Sequence, residues 1–344
     1  MRMQNGAEEL IHELDQKVIS RLSQRKYNDF FQELEDVYSF YISQLDEFSI
    51  KNIYGNMILL SEVPSYIQST KKICNEIKKM IEGYLNGNLI QLGKIYNRLF
   101  KSTANRISLS SNFPKIEIKQ DSIWYRGRRY KSGMNMKMED LFHVPFEKRG
   151  KIGANRFSVI GYPCLYLASS VNCCIKENHC TNHICISAFK PTSGFTVYDF
   201  TFFPHIPSEK EMWKYLHSYP IKIACSIPVQ DDDKENLFIP EYLIPEYVLH
   251  GTIKQTKSSK LLGIAYTSTN IFTGSFTKDS VRKHTNLVIP AVKMGNKGFC
   301  KDLSKLFPLT NPITIQLSNL IDENMSSSHE KDLTAMEFCQ IKEE

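Results

Sequence analysis

A change of texture near residue 110 constrains this chain more than any other feature. Before it, apolar residues recur at three- and four-residue steps; after it, they come in short β-rich runs. Leu10, Ile11, Leu14, Val18 and Leu22 make one helical stripe, and Phe30, Phe31, Leu34, Val37, Tyr38 and Tyr41 make a second. Residues Tyr66–Leu85 predict a third helix, with Ile73, Ile77, Met80, Ile81 and Tyr84 on one side and a stop at Asn86-Gly87-Asn88. Leu89–Phe100 predicts a fourth. The polar stretch Lys101–Pro114 then reads as a connector. Three parts follow: a helical domain over 1–110, a second domain over 111–317, and a polar tail over 318–344 that is expected to be mobile. A cut near residue 110 is expected to leave a folded fragment.

The second part carries strand-like runs at Ile184–Phe189, Phe195–Phe200, Ile221–Pro228, Leu262–Thr267 and Leu287–Val292. Helical segments lie between them, around Val171–Glu177, Ser208–Leu216 and Ile239–Gly251. That alternation predicts an α+β domain with a mixed or mostly antiparallel sheet, preceded by an all-α domain.

Several classes are set aside by composition. No apolar run approaches the length needed to cross a bilayer, and the start MRMQNGAEEL has acidic residues where a secretory signal would be apolar. Both point to a cytoplasmic protein. Nine cysteines, an odd number without framework spacing, are expected to be free thiols. Residues 115–160 carry 11 basic and 5 acidic side chains, a local excess that suits an anionic partner. The tail 318–344 reverses sign, with 2 basic and 7 acidic residues.

The most distinctive segment begins at Trp124-Tyr125-Arg126-Gly127-Arg128 and runs through Asn155-Arg156-Phe157-Ser158. It continues as Gly161-Tyr162-Pro163-Cys164-Leu165-Tyr166-Leu167-Ala168 and ends on Glu177. The Gly161–Pro163 turn leads into a short apolar strand, and Ser169-Ser170 can cap the helix that follows. Such a strand–turn–helix can aim Tyr166, Arg126 and Glu177 at one place. Downstream, Glu241-Tyr242-Leu243-Ile244-Pro245-Glu246 precedes Gly263-Ile264-Ala265-Tyr266-Thr267-Ser268.

In this order the motifs resemble the RES family, named for an Arg, a Glu and a Ser, over roughly residues 115–317. The resemblance implies an ADP-ribosyltransferase-like fold and NAD+ as substrate, degraded by hydrolysis or phosphorolysis with release of nicotinamide. It also implies a toxin held by a small antitoxin protein, with self-association open. Matched residue by residue, it implies Glu177, Arg126 and Ser268 in catalysis, and Arg126, Arg156, Tyr166 and Ser268 in binding NAD+. The chemistry suits those residue types. Cleavage of the nicotinamide–ribose bond passes through an oxocarbenium-like state that a carboxylate stabilises. Arginines take a pyrophosphate with forked bonds, Tyr166 offers an aromatic face, and Ser268 offers a small hydroxyl.

This chain departs from the family in two places. The insert Met134–Lys151 stretches the spacing between Arg126 and Arg156 and could form a lid, and the N-terminal helices are an extension of the minimal domain. Taken singly, each arginine is an ordinary ion-pair residue, Tyr166 a core aromatic and Ser268 a turn hydroxyl; it is their order that points to a site. Two other readings stand beside the favoured one: transfer of ADP-ribose to a macromolecule, and a non-enzymatic module binding nucleic acid or protein through the basic 115–160 face. The carboxylate among the arginines argues against the last, so nucleic acid is not expected as a partner, nor is a membrane. No metal is expected either. Cys173, Cys174, His179, Cys180, His183 and Cys185 give no clean pair of C-x2–4-C ligands, and Asp231-Asp232-Asp233 reads as a solvated loop. Gly150-Lys151-Ile152-Gly153 reads as a loop too.

Overall fold

The computed structural model describes residues 2–23, 27, 29–50, 63–100, 109–130, 135–179, 182–205, 209–230, 236–256, 261–271, 277–317 and 323–341. The first elements are helices α1 (Arg2–Ser23), α2 (Phe30–Ile50), α3 (Val63–Leu85) and α4 (Leu89–Phe100). Strands β1 (Lys115–Ile118) and β2 (Trp124–Arg129) follow, then α5 (Met138–Leu141), β3 (Cys164–Ala168), α6 (Val171–Asn178), β4 (His183–Phe189) and β5 (Phe195–Phe200). The remainder is α7 (Glu209–Ser226), α8 (Leu243–Thr256), β6 (Leu261–Thr267), α9 (Lys278–Lys283), β7 (Thr285–Pro290), α10 (Lys301–Leu306), β8 (Ile313–Gln316) and α11 (Glu323–Ala335).

These group into two compact units: one of Met1–Pro114 with Phe202–Gly251, the other of Lys115–Thr201 with Thr252–Glu344. The expected division at 110/111 with everything to 317 in one domain is therefore corrected. Residues 202–251 belong with the N-terminal helices, and a cut near residue 110 would part them from their core.

The helical unit shows why. The α1 and α2 stripes expected from the sequence are buried, Leu14, Val18, Leu34, Val37 and Tyr41 fully so. Their partner includes α7, which carries Pro220 in its interior. Proline has no N–H, so the carbonyl four residues back, Leu216 O, loses its helical donor. The Tyr41 hydroxyl replaces it, donating to Leu216 O at 2.8 Å, and the Tyr38 hydroxyl donates to Pro220 O at 3.0 Å. A buried charge is matched in the same way. Asp15 is fully buried and accepts from Tyr219 Oη at 2.7 Å, Tyr215 Oη at 3.1 Å and Phe203 N at 2.6 Å. Lys222 Nζ lies 3.5 Å from Asp15 and sits over the Phe202, Tyr215 and Tyr219 rings. A buried ion pair needs such additional partners to offset desolvation. The run Ile221–Pro228, expected as a strand, is thus the end of α7 and the residues after it; Pro220 imitates a boundary, and burial on all sides removes the helical alternation.

The second unit is built on one eight-stranded sheet in the order β1-β5-β6-β7-β3-β2-β4-β8. All its pairings are antiparallel except β5 with β6, so the sheet is mixed, as the α+β reading expected. Gly263 on β6 is required by close packing of strands: a Cβ there would meet Val288 O at 2.2 Å. Each face carries an apolar cluster. On one lie Trp124, Leu165, Leu167 and Leu287 with Leu141, Phe142 and Phe146. Leu141, Phe142 and Phe146 thus anchor the insert in this cluster, while residues 147–151 are exposed and Met134 lies outside the described residues. On the other face, Tyr125, Ile184 and Ile186 pack with α6 and Leu333 of α11. The tail expected to be mobile is accordingly corrected in part: α11 packs on the sheet, and Cys339 exchanges two 2.9 Å backbone hydrogen bonds with Leu309. Leu333, fully buried, anchors an otherwise polar helix. Among the described residues no helix is long and apolar enough to cross a membrane.

Tyr41→Phe tests the account of α7. It leaves Leu216 O buried without its donor, and we expect a loss of about 1–3 kcal/mol in unfolding free energy by denaturant titration. An unchanged midpoint would show that Pro220 needs no replacement donor.

Candidate functional site

The sheet of the second unit parts between β2 and β3. They share the single pair Tyr125↔Ala168. By contrast β2 pairs with β4 from Trp124↔Phe189 to Arg129↔Ile184, and β3 with β7 from Cys164↔Pro290 to Ala168↔Asn286. Where the ladder stops, a side chain takes over: Arg126 Nη1 donates to Tyr166 O at 2.9 Å. Arg126 Nε is buried without a hydrogen-bond partner inside the protein. So is the hydroxyl of Ser187, the fully buried register partner of Arg126 on β4. Burial, with repulsion from Arg128, lowers the Arg126 pKa to about 9, which still leaves the guanidinium charged at pH 7.

Tyr166 joins this position to Arg156. Its hydroxyl donates to Phe157 O at 3.0 Å, and Asn155 N donates to Ser158 Oγ at 2.8 Å. Phe157 has a φ of 55°, the left-handed region that a bulky residue adopts only when its surroundings compel it. Its ring, fully buried, lies against Phe200 and Tyr266. Arg156, also buried, is thereby held in a braced turn. Tyr166, expected to present an aromatic face to a ligand, uses its hydroxyl and its carbonyl to fix both arginine-bearing segments.

The carboxylate stands on α6. Ser170 caps this helix as expected, accepting from Cys173 N at 3.0 Å. Its close seat on β2 depends on Gly127, where a Cβ would meet Ile184 Cδ1 at 2.6 Å and Asn178 Nδ2 at 3.3 Å. Both oxygens of Glu177 are engaged: Asn286 Nδ2 donates to Oε1 at 2.7 Å, and Asn270 Nδ2 donates to Oε2 at 3.1 Å. Asn286 is fixed in turn by Cys173 Sγ, which donates to its Oδ1 at 3.4 Å. Ser268 is fully buried, and its hydroxyl accepts from Asn270 N at 3.3 Å. It shapes the turn that aims Asn270 at Glu177.

Two clusters result, Arg126 with Tyr166 and the Arg156 turn, and Glu177 with Asn270, Asn286 and Ser268. Cys174 lies in electrostatic reach of both. Burial pushes its thiol up, Arg126 pulls it down, and Glu177 pushes it up again. Reasoning from sequence missed Asn270 and Asn286. Asn286 had left a signal, an amide within the apolar strand Thr285–Pro290.

Cys173, Cys174 and Cys185 are buried free thiols. Among the described residues no three His, Cys, Asp or Glu side chains converge on a metal position; Cys180 and Asp231–Asp233 lie outside the described residues. Gly150 and Gly153 sit on an exposed surface turn with open space around them.

The fold and site thus define a mixed α/β protein with a carboxylate clamped by two amides and, in a second cluster, a half-buried arginine with an unmet Nε–H. The chain is similar to a Bacillus subtilis (strain 168) protein named "Putative toxin YopC", at 28% identity over 297 residues. That alignment covers 81% of this chain and 64% of the relative, less than two thirds of its length. No family model matches the chain, and no solved structure matches it.

His143 was missed as well. It is fully buried, near enough to Arg126 to be influenced by it. Nδ1 faces Val144 O at 2.8 Å, and Cys300 N donates to Nε2 at 2.8 Å, an arrangement that fits only the neutral ring. Burial lowers its pKa from 6.5 to about 4; the bond to Val144 O opposes this and Arg126 adds to it. The folded state therefore resists a proton that the unfolded chain takes up. Stability is whole above pH 6.5 and falls as pH drops towards 4, by about 3 kcal/mol in all. We expect the stability gap between wild type and His143→Gln to narrow by roughly that amount between pH 7 and pH 4. A gap independent of pH would mean that His143 titrates normally.

Proposed function

We propose that the second unit is an NAD+-consuming enzyme, a glycohydrolase or phosphorylase that releases nicotinamide, and that it acts as a cytoplasmic toxin restrained by an antitoxin protein. The observation that carries this reading is the clamp on Glu177. A carboxylate whose two oxygens accept from amides on separate elements has little freedom to reorient. Such fixed charge is what stabilises an oxocarbenium-like transition state at small reorganisation cost. Arg126 supports the reading from the substrate side, since a charged guanidinium with an unmet Nε–H suits a phosphate oxygen. Tyr166 and Ser268 act as positioning residues in this scheme. The resemblance to the RES family supports NAD+ as the substrate and an ADP-ribosyltransferase-like reading of the mixed sheet. The name of the Bacillus relative supports the toxin.

The test is nicotinamide release from NAD+ by the full-length chain purified free of any partner, with and without phosphate. Dependence on phosphate would mark a phosphorylase. Glu177→Gln is expected to lower kcat by ~10²–10³-fold, the usual cost of losing one preorganised electrostatic group. It puts an NH2 opposite one of two amide donors, so a stability loss of about 1 kcal/mol should accompany it. Wild-type protein that leaves NAD+ intact overturns the proposal.

A further inference from the structure

The helix that carries Glu177 is held at its other end by the C-terminal helix. Glu330 of α11 accepts the backbone N–H of Val171, the first residue of α6, with Oε1 at 2.9 Å. Two further donors of that turn go to Ser170: its hydroxyl takes Cys173 N at 3.0 Å and its carbonyl takes Cys174 N at 3.1 Å. Ser170 is itself fixed, donating through Oγ to Lys283 O at 2.6 Å. Below Glu330, Leu333 is fully buried with Val171, Cys173 and Cys174, and Met336 and Phe338 pack against the same cluster. Glu330 also pushes the Cys174 thiol up, the smallest of the influences on it after burial, Arg126, Glu177 and a hydrogen bond with the Gly127 backbone.

α6 is eight residues long. So short a helix has little stability of its own and takes its position from what it packs on. Glu177 stands six residues after Val171, about 9 Å along the axis. A tilt at Val171 is therefore carried to the carboxylate, which must meet two amides at once. The Glu330 carboxylate also suits the positive end of the α6 dipole.

We infer that Glu330 is a positioning residue and that α11 is a strut which sets the Glu177 carboxylate between Asn270 and Asn286. The inference rests on the proposed catalytic role of Glu177. It makes the C-terminal helix part of the catalytic apparatus although Glu330 touches no reacting atom.

The experiment uses the full-length chain with Glu330→Ala and Glu330→Gln, and reads hydrogen exchange of the 171–178 amides together with kcat and KM for nicotinamide release. In Glu330→Ala, exchange over α6 should rise and kcat should fall by about 10- to 100-fold, the scale expected when a reacting group is misplaced by an ångström. KM should stay within about twofold, because ground-state contacts with NAD+ are untouched. Glu330→Gln retains an oxygen acceptor for Val171 N–H and should restore most of kcat. If Glu330→Ala fails to fold, Glu330→Asp, which withdraws the carboxylate by one methylene, carries the same expectation. Unchanged kcat in the Ala or Asp variant, or a loss that Gln does not restore, overturns the strut. A wild-type chain inert towards NAD+ would remove the proposed function instead. The exchange measurement then decides the strut alone, and unchanged α6 protection in Glu330→Ala would reject it.

Discussion

A β-ladder that stops after one residue pair leaves backbone groups that must find other partners. Between β2 and β3 that task falls to Arg126, whose Nη1 takes the Tyr166 carbonyl. The choice has consequences. It brings a cation into a place that lowers its pKa, within electrostatic reach of a histidine that burial keeps neutral, and it leaves Nε inside without a protein partner. A neutral side chain of similar size would fill the gap with less desolvation. The parted sheet is therefore poorly explained by stability alone and better explained by a need for a guanidinium at that spot.

The helical unit solves a comparable problem with tyrosines. Pro220 removes one donor from α7, and Tyr41 supplies another from α2, so an interior proline becomes tolerable only when the two helices are together. Asp15 and Lys222 are interdependent in the same sense, for removing either would leave a buried charge unpaired. These links between residues 15, 38, 41 and 215–222 explain how two distant stretches of chain form one unit.

What the sequence made legible follows from periodicity. Helices α1 to α4 have one buried face and polar residues opposite, so their stripes were plain. β4, β5 and β7 were visible as apolar runs, but Ile221–Pro228 looked the same while being buried as helix and following loop. Periodicity is silent where every side is covered. β2 was hidden for another reason: Trp124–Arg129 carries three arginines and a glycine, a composition without the apolar run or alternation that marks a strand. Within the site, the motif residues that stand near one another in sequence were legible. Asn270 and Asn286 were not, because their meaning lies in a contact with Glu177 across 93 and 109 residues of chain. Ser268 was singled out for its place in the motif order, while its complete burial is a matter of tertiary structure.

The departures from local rules give a pointer to the site that owes nothing to motif order. In the second unit, the buried side-chain atoms without a protein partner, among the described residues, are Arg126 Nε and Ser187 Oγ, facing partners on β2 and β4. Phe157, a bulky residue at φ 55°, belongs to the turn that Tyr166 braces, and His179, at φ 45°, ends the helix of Glu177. Asn286 interrupts an apolar strand to reach the same carboxylate. Each feature costs stability alone, and sequences shaped only for folding tend to remove such costs. Ser187 faces Arg126 in register, Phe157 lies in the turn that Tyr166 braces, and Asn286 holds Glu177, so these departures fall on the residues of the proposed site, with Tyr166, Ser268 and Glu330 as its braces.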